Sequence, residues 1–155
     1  MNSIIQQEFL EHINTGQKAM ESISMDIEIA AITCINSLKN DGKILILGNG
    51  GSAADAQHIA AELVGRYKTE RKGLAAIALT TDTSTITSIS NDFGYENVFE
   101  RQIQALANER DVVIGISTGG TSKNVINALS LASSIGCKVI GLSGKNGGEM
   151  NTICD

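Results

Sequence analysis

The sequence predicts one α/β domain built on a doubly wound parallel sheet, three layers deep, with helices on both faces and further helices at the N-terminus. Four short apolar runs carry that reading: KILIL (43–47), LAAIAL (74–79), VVIGI (112–116) and KVIGL (138–142). Nearly continuous runs of this length fit strands covered on both faces, as in a parallel sheet. Helical stretches separate them, and strands alternating with helices build βαβ units. A length of 155 residues suits one domain with its own core.

The elements follow in order. Residues 1–40 read as helical. Ile5, Phe9 and Ile13 recur at four, and Ile27, Ala31, Cys34, Ile35 and Leu38 follow the spacing of one buried stripe. Asn14, Thr15 and Gly16 either separate two helices or bend one, and Asn40-Asp41-Gly42 forms the turn that stops the last. From 41 to 155 the strands alternate with helices expected at 52–65, at 83–90 with 96–107, and at 122–135. The chain contains no proline, so no obvious breaker interrupts these helices. Neither a linker nor a second domain is visible.

Composition excludes several classes of function. The net charge is -5 and the Lys and Arg residues are scattered, which argues against nucleic-acid binding. Cys34, Cys137 and Cys154 are an odd number without a CxxC pair, so they read as small core residues in a reducing compartment. The N-terminal residues carry acids and lack a signal-peptide pattern. No run approaches the roughly 18 apolar residues of a membrane span. A cytoplasmic protein without membrane or nucleic-acid partners is expected.

The chemistry lies in the loops. GKILILGNGGSAADAQHIAAEL (42–63) is a strand, a glycine-rich turn and a helix, and DVVIGISTGGTSKNVINALSLA (111–132) repeats that layout. Both loops open at the carboxyl ends of strands, where open α/β sheets bind ligands. SGKNGGEM (143–150) follows the fourth strand with similar composition. Gly48-Asn49-Gly50-Gly51-Ser52-Ala53 formally matches a dinucleotide fingerprint, but the ribose-binding acid should stand about twenty residues on at the end of the next strand, and that distance lands in GRYKTERKG (65–73), before the second strand begins. The acid after the second strand, Asp82, comes too late. No Gly-Lys-Ser/Thr is present for a P-loop. A phosphosugar fits better: Ser117, Thr118 and Ser122 place hydroxyls around a helix start, where unpaired N–H groups and the macrodipole favour an anion. Gly119 and Gly120 let the backbone approach closely. A bare N-cap at Ser122 with two turning glycines is the simpler alternative.

His58 and Glu62 stand four apart and project from one face of one helix. The carboxylate could move a proton next to a carbonyl. The pair could equally supply two ligands to a divalent metal, or form a solvated surface pair. Asn91 and Asp92, in SNDFGYENVFERQI, precede a glycine turn and then a helix; they read as a bare Asx-rich turn, or as an amide and a carboxylate suited to a polyol.

GNGGSAADAQHIAAELVGRY, SNDFGYENVFERQI, the Ser-Thr-Gly loop and GLSGKNGGEM together resemble the sugar isomerase (SIS) domain family over essentially the whole chain. Within it the likeness is greatest to isomerases of seven-carbon sugar phosphates. The resemblance implies a Rossmann-like five-stranded sheet and a homotetramer with sites at subunit interfaces. It implies conversion of sedoheptulose 7-phosphate to a manno-heptose 7-phosphate through an enediol, at the start of nucleotide-heptose synthesis for lipopolysaccharide or related glycans. By matching position, Asn49, Gly50, Gly51, Ser52, Asn91 and Asp92 would touch the sugar, and Ser117, Thr118, Gly119 and Ser122 the phosphate. Glu62 would be the proton-transferring carboxylate, and His58 with Glu62 would hold zinc. The family usually has serine at the position of Gly119. Its fifth strand and C-terminal helix, carrying a glutamine and a histidine, have no counterpart in these residues, and the expectation is that the sequence is part of a longer chain. Family members that bind phosphosugars, or a replication initiator, without catalysis supply the alternative function.

Overall fold

The computed structural model describes residues 2–155. The chain divides into two compact units, one ending at Thr33 and one running from Cys34 to Asp155.

A single helix, α1 (Asn2–Lys39), accounts for the whole described part of the first unit. Asn14, Thr15 and Gly16 neither divide nor end it. A glycine inside a helix costs only about 0.5–1 kcal/mol relative to alanine, too little to stop one. The expected buried stripe requires correction. Ile5, Phe9, Ile13 and Ile27 have the helical spacing predicted for them, yet all are exposed, Phe9 to 66%. Within the first unit, α1 has no second element to pack against. Cys34 and Leu38, in the second unit, do join a core, whereas Ile35 does not. The helix stops one residue before Asn40, and Asp41 takes a positive φ.

The second unit holds four parallel strands: β1 (Ile44–Gly48), β2 (Ala76–Ala78), β3 (Val112–Ile116) and β4 (Lys138–Leu142). Their order is β2-β1-β3-β4, so the sheet is wound outward in both directions from the β1–β3 pair. The resemblance implies five strands; the described residues form four. Beside β4, Asp155 N–H donates to the Val139 carbonyl and its carboxylate accepts from the Val139 N–H.

Alternation along the strands sorts the core into two layers. Ile44, Ile46, Val112 and Ile114 face one side, against Ala56 and Ala60 of α2 (Gly51–Val64). Leu45, Leu47, Val113 and Val139 face the other, against Ile103 of α4 (Glu100–Leu106) and Val125, Ala128, Leu129 and Ala132 of α5 (Lys123–Ile135). Burying each large aliphatic side chain stabilises the fold by about 1.5–3 kcal/mol, so the sheet needs apolar residues at every position. Between β2 and α4 lies α3 (Thr83–Phe93), which continues three residues past the predicted end. The helix expected from 96 begins as a short 3-10 turn, Tyr95–Asn97, before α4.

At the amino ends of β1 and β3, Asp111 ties the strands together. Its carboxylate, 1% exposed, accepts from Lys43 N–H at 2.9 Å, Lys43 Nζ at 2.6 Å, and the backbone and side-chain N–H groups of Asn108 at 2.8 and 2.9 Å. At the carboxyl ends, the loop after β3 locks onto the loop after β4. Gly144 N–H donates to the Thr118 carbonyl, and Met150 N–H to that of Gly120. Gly120 has φ +65, and a Cβ there would overlap the Gly147 carbonyl. Cys137 lies in the core, with Cys34 and Cys154 packed against its two layers, and burial pushes all three thiols up from their ordinary pKa.

Two substitutions test these ties. Asp111→Ala leaves buried donors without an acceptor and should lower stability by about 3 kcal/mol in urea unfolding. Gly120→Ala combines a left-handed backbone with a clash and should cost about 2 kcal/mol or more by the same measurement. A loss below about 0.5 kcal/mol in either variant would contradict the packing described.

Candidate active site

The strand order reverses direction between β1 and β3, and ligands of open α/β sheets bind at such a point, beyond the carboxyl ends of the strands. Gly48, the last residue of β1, is in register with Ile116, the last of β3. The two glycine loops singled out from sequence therefore start side by side.

In the loop after β1, Gly50 takes φ +56 and serves as the N-cap of α2. That conformation is disfavoured for residues with a Cβ. Nothing lies within 4 Å of a Cβ built on Gly50 or Gly51, so the backbone there is open to a ligand. Ser52 opens the first turn of α2, half-buried behind Gly48. Asn49 is engaged: its amide exchanges two hydrogen bonds with the Asn124 amide, at 2.9 and 2.8 Å, and its Oδ1 also accepts from the Tyr95 hydroxyl at 2.9 Å.

In the loop after β3, Ser117 is buried and its hydroxyl lies 2.9 Å from that of Ser122. Ser122 caps α5 by position, without a side-chain cap hydrogen bond. Its hydroxyl therefore does not serve the simple capping role offered as the alternative. Lys123 and Asn124 open the helix, so their N–H groups have no intrahelical acceptor. Thr118 is exposed and Gly119 half-buried. Two paired hydroxyls, free helix N–H groups and the positive end of the helix dipole make a neutral cradle of donors for an anion. The loop after β4 braces it from behind.

The acid that follows the second strand has a local structural role. Asp82 is the N-cap of α3, where it accepts from Thr85 N–H at 2.9 Å. That bond holds its carboxyl below the ordinary carboxylate range.

His58 and Glu62 pair as their spacing predicts, with Nε2 3.3 Å from Oε1 and side chains 76% and 38% exposed. They stand on α2, and Glu62 lies eleven residues past Gly51, which is about 16 Å along the helix axis. Glu62 is thus separated from the loop that begins its own helix. Arg71 closes this end of α2 by donating to the carbonyls of Glu62 and Leu63 at 2.7 and 2.8 Å. An imidazole and a carboxylate are suitable zinc donors, but zinc takes three or four protein ligands. Among the described residues no group of three His, Cys, Asp or Glu could hold a metal. These residues alone do not fit a zinc ion.

Asn91 and Asp92 are exposed in the last turn of α3 and bond to one another at 2.8 Å. They stand just before the glycine turn at Gly94, as the sequence predicts, and the helix expected to end at 90 runs on through them. The turn itself reaches the site through Tyr95. Sequence reasoning passed over Tyr95, Asn124 and Arg71. Asn124 had one signal, its place two residues after Ser122; the other two had none.

Comparison with known proteins identifies the family. The SIS domain model matches residues 8–144. The phosphoheptose isomerase of Aliarcobacter butzleri is 59% identical over 155 residues, covering 100% of this chain and 82% of that protein. Phosphoheptose isomerase GmhA from Neisseria gonorrhoeae superposes with a TM-score of 0.94 at 44% identity, covering 99% of this chain and 80% of that one. A phosphoheptose isomerase from Francisella tularensis gives the same TM-score at 35% identity, with coverage of 99% and 80%. Sequence and fold agree, and the chain belongs to the SIS domain family.

Proposed function

We propose that this chain is a phosphoheptose isomerase, which converts sedoheptulose 7-phosphate to D-glycero-D-manno-heptose 7-phosphate. The observation that carries this reading is the pair of donor-rich loops flanking the β1–β3 switch point, on a chain 59% identical to a named phosphoheptose isomerase.

The phosphate would sit on Ser117, Thr118, Gly119, Ser122 and the start of α5, where short donors satisfy its oxygens without added charge. Asn49, Gly50, Gly51 and Ser52 would hold the sugar, with Asn91 and Asp92 on its hydroxyls. The reaction moves a carbonyl from C2 to C1. Glu62 takes a proton from C1 as the C2 carbonyl becomes an enediol oxygen. Glu62, whose acquired proton exchanges with solvent, then delivers a proton to C2 while the O1 proton passes to O2, which leaves the aldehyde at C1 and a hydroxyl at C2. A positioned carboxylate typically contributes about 10²–10⁴-fold to such a transfer.

The separation of Glu62 from the loop at Gly51, and the exposed apolar row on α1, support a homotetramer with sites at subunit interfaces. Zinc belongs to the same proposal: His58 and Glu62 would supply two ligands, with further donors required, and the proton transfer above uses none of the metal's chemistry. The pathway is placed in nucleotide-heptose synthesis for lipopolysaccharide or a related glycan, in the cytoplasm. Among the described residues no helix is long and apolar enough to cross a membrane.

Proton NMR in D2O with sedoheptulose 7-phosphate tests the reaction. An aldose carrying deuterium at C2 is expected, and Glu62→Gln should reduce its formation by at least about 100-fold. Binding without exchange or product would instead identify a non-catalytic phosphosugar module. Ser122→Ala should raise KM for the sugar phosphate by roughly tenfold or more, the loss of one hydrogen bond to a charged group. An unchanged KM would remove Ser122 from the phosphate site. His58→Ala should lower the zinc bound per chain, as read by elemental analysis, and equal zinc in both proteins would refute that ligand.

A further inference from the structure

Asn124 is 4% exposed, and its side chain reaches out of its own helix to the loop after β1. Two amides joined by two hydrogen bonds can be turned over together, exchanging every oxygen for nitrogen, without losing either bond. A third contact removes that freedom here. Asn124 Oδ1 also accepts the N–H of Val125 at 3.0 Å, and a backbone N–H cannot change roles. The oxygen of Asn124 is therefore set, its Nδ2 must donate to Asn49, and the atom of Asn49 that receives it must be Oδ1. The Tyr95 hydroxyl donates to that same oxygen.

The hydrogen-bonding inventory of Asn49 then closes. An amide oxygen has two lone pairs and an amide nitrogen two hydrogens. Both acceptor positions of Oδ1 are taken, by Asn124 and Tyr95, and one Nδ2 hydrogen is given to Asn124. What Asn49 retains for a ligand is a single N–H donor and no acceptor.

We infer that Asn124 is a positioning residue for the substrate: it locks the Asn49 amide so that this side chain offers the sugar only a donor. Asn49 then selects an oxygen that accepts, such as a carbonyl, an enediolate or a lone pair of a hydroxyl. The lock also couples the sugar loop to the phosphate loop, because Asn124 belongs to the first turn of α5. This inference rests on the sugar-phosphate reading of the site.

A double-mutant cycle tests it, using the full chain with sedoheptulose 7-phosphate. Asn124→Ala is expected to raise KM about tenfold, the order of one hydrogen bond. Asn49→Ala should do the same. If Asn124 acts through Asn49, adding Asn124→Ala to Asn49→Ala changes KM by less than about twofold. Multiplying effects overturn the inference and leave Asn124 a structural residue. Should Asn124→Ala fail to fold, Asn124→Asp replaces it: the shape and the acceptor for Val125 remain, while the donor to Asn49 Oδ1 is lost, and the same cycle applies. If the wild-type protein binds the sugar without turning it over, the cycle is read in Kd by calorimetry, with the same fold-changes expected. Wild-type protein that neither turns over nor binds this sugar phosphate overturns both the function proposed above and this inference. Turnover with multiplying effects overturns only the latter.

Discussion

The parallel pairing of β1 with β3 is the constraint on which the site depends. Five residues of each strand are in register, from Ile44 beside Val112 to Gly48 beside Ile116. Because the sheet winds outward from this pair, the chain leaves both strands at the same edge and turns in opposite directions. Two loops distant in sequence thus meet at one edge of the sheet. Shifting the register by one residue would turn every side chain of the strand to the other face. Leu45 and Leu47 would lose their partners on α4 and α5, so the two apolar layers that hold the register also hold the loops in place.

Binding capacity at this edge comes from backbone and neutral side chains. Gly50 and Gly120 adopt positive φ, which brings main-chain groups where a side chain would block them. Ser117 and Ser122 face one another as paired hydroxyls. A chain with net charge -5 can hold an anion in this way, since the donors are local and the repulsion is spread over the surface. The opposite edge shows the contrast: there Asp111 is buried against Lys43 and Asn108, and its role is to fasten strands.

The apolar row on α1 shows what burial alone leaves undecided. Its spacing is helical and its residues are those of a core, yet within its own unit it faces no partner. Exposed apolar rows of this length mark surfaces that other elements cover.

Strand and helix positions were legible in the sequence because local patterns encode them. The runs at 112–116 and 138–142 match β3 and β4 to the residue, and the others differ by one or two positions at an end. The two glycine loops were legible too, since their composition follows from the backbone they must adopt. His58 and Glu62 met because residues four apart lie on the same face of a helix. Tertiary structure alone decided that Asn49 pairs with Asn124, that Tyr95 reaches the same amide, and that the loop after β4 braces the loop after β3. Those contacts join residues 46 to 75 positions apart in the first two cases. No periodicity spans such distances; only the order and register of the strands bring them together.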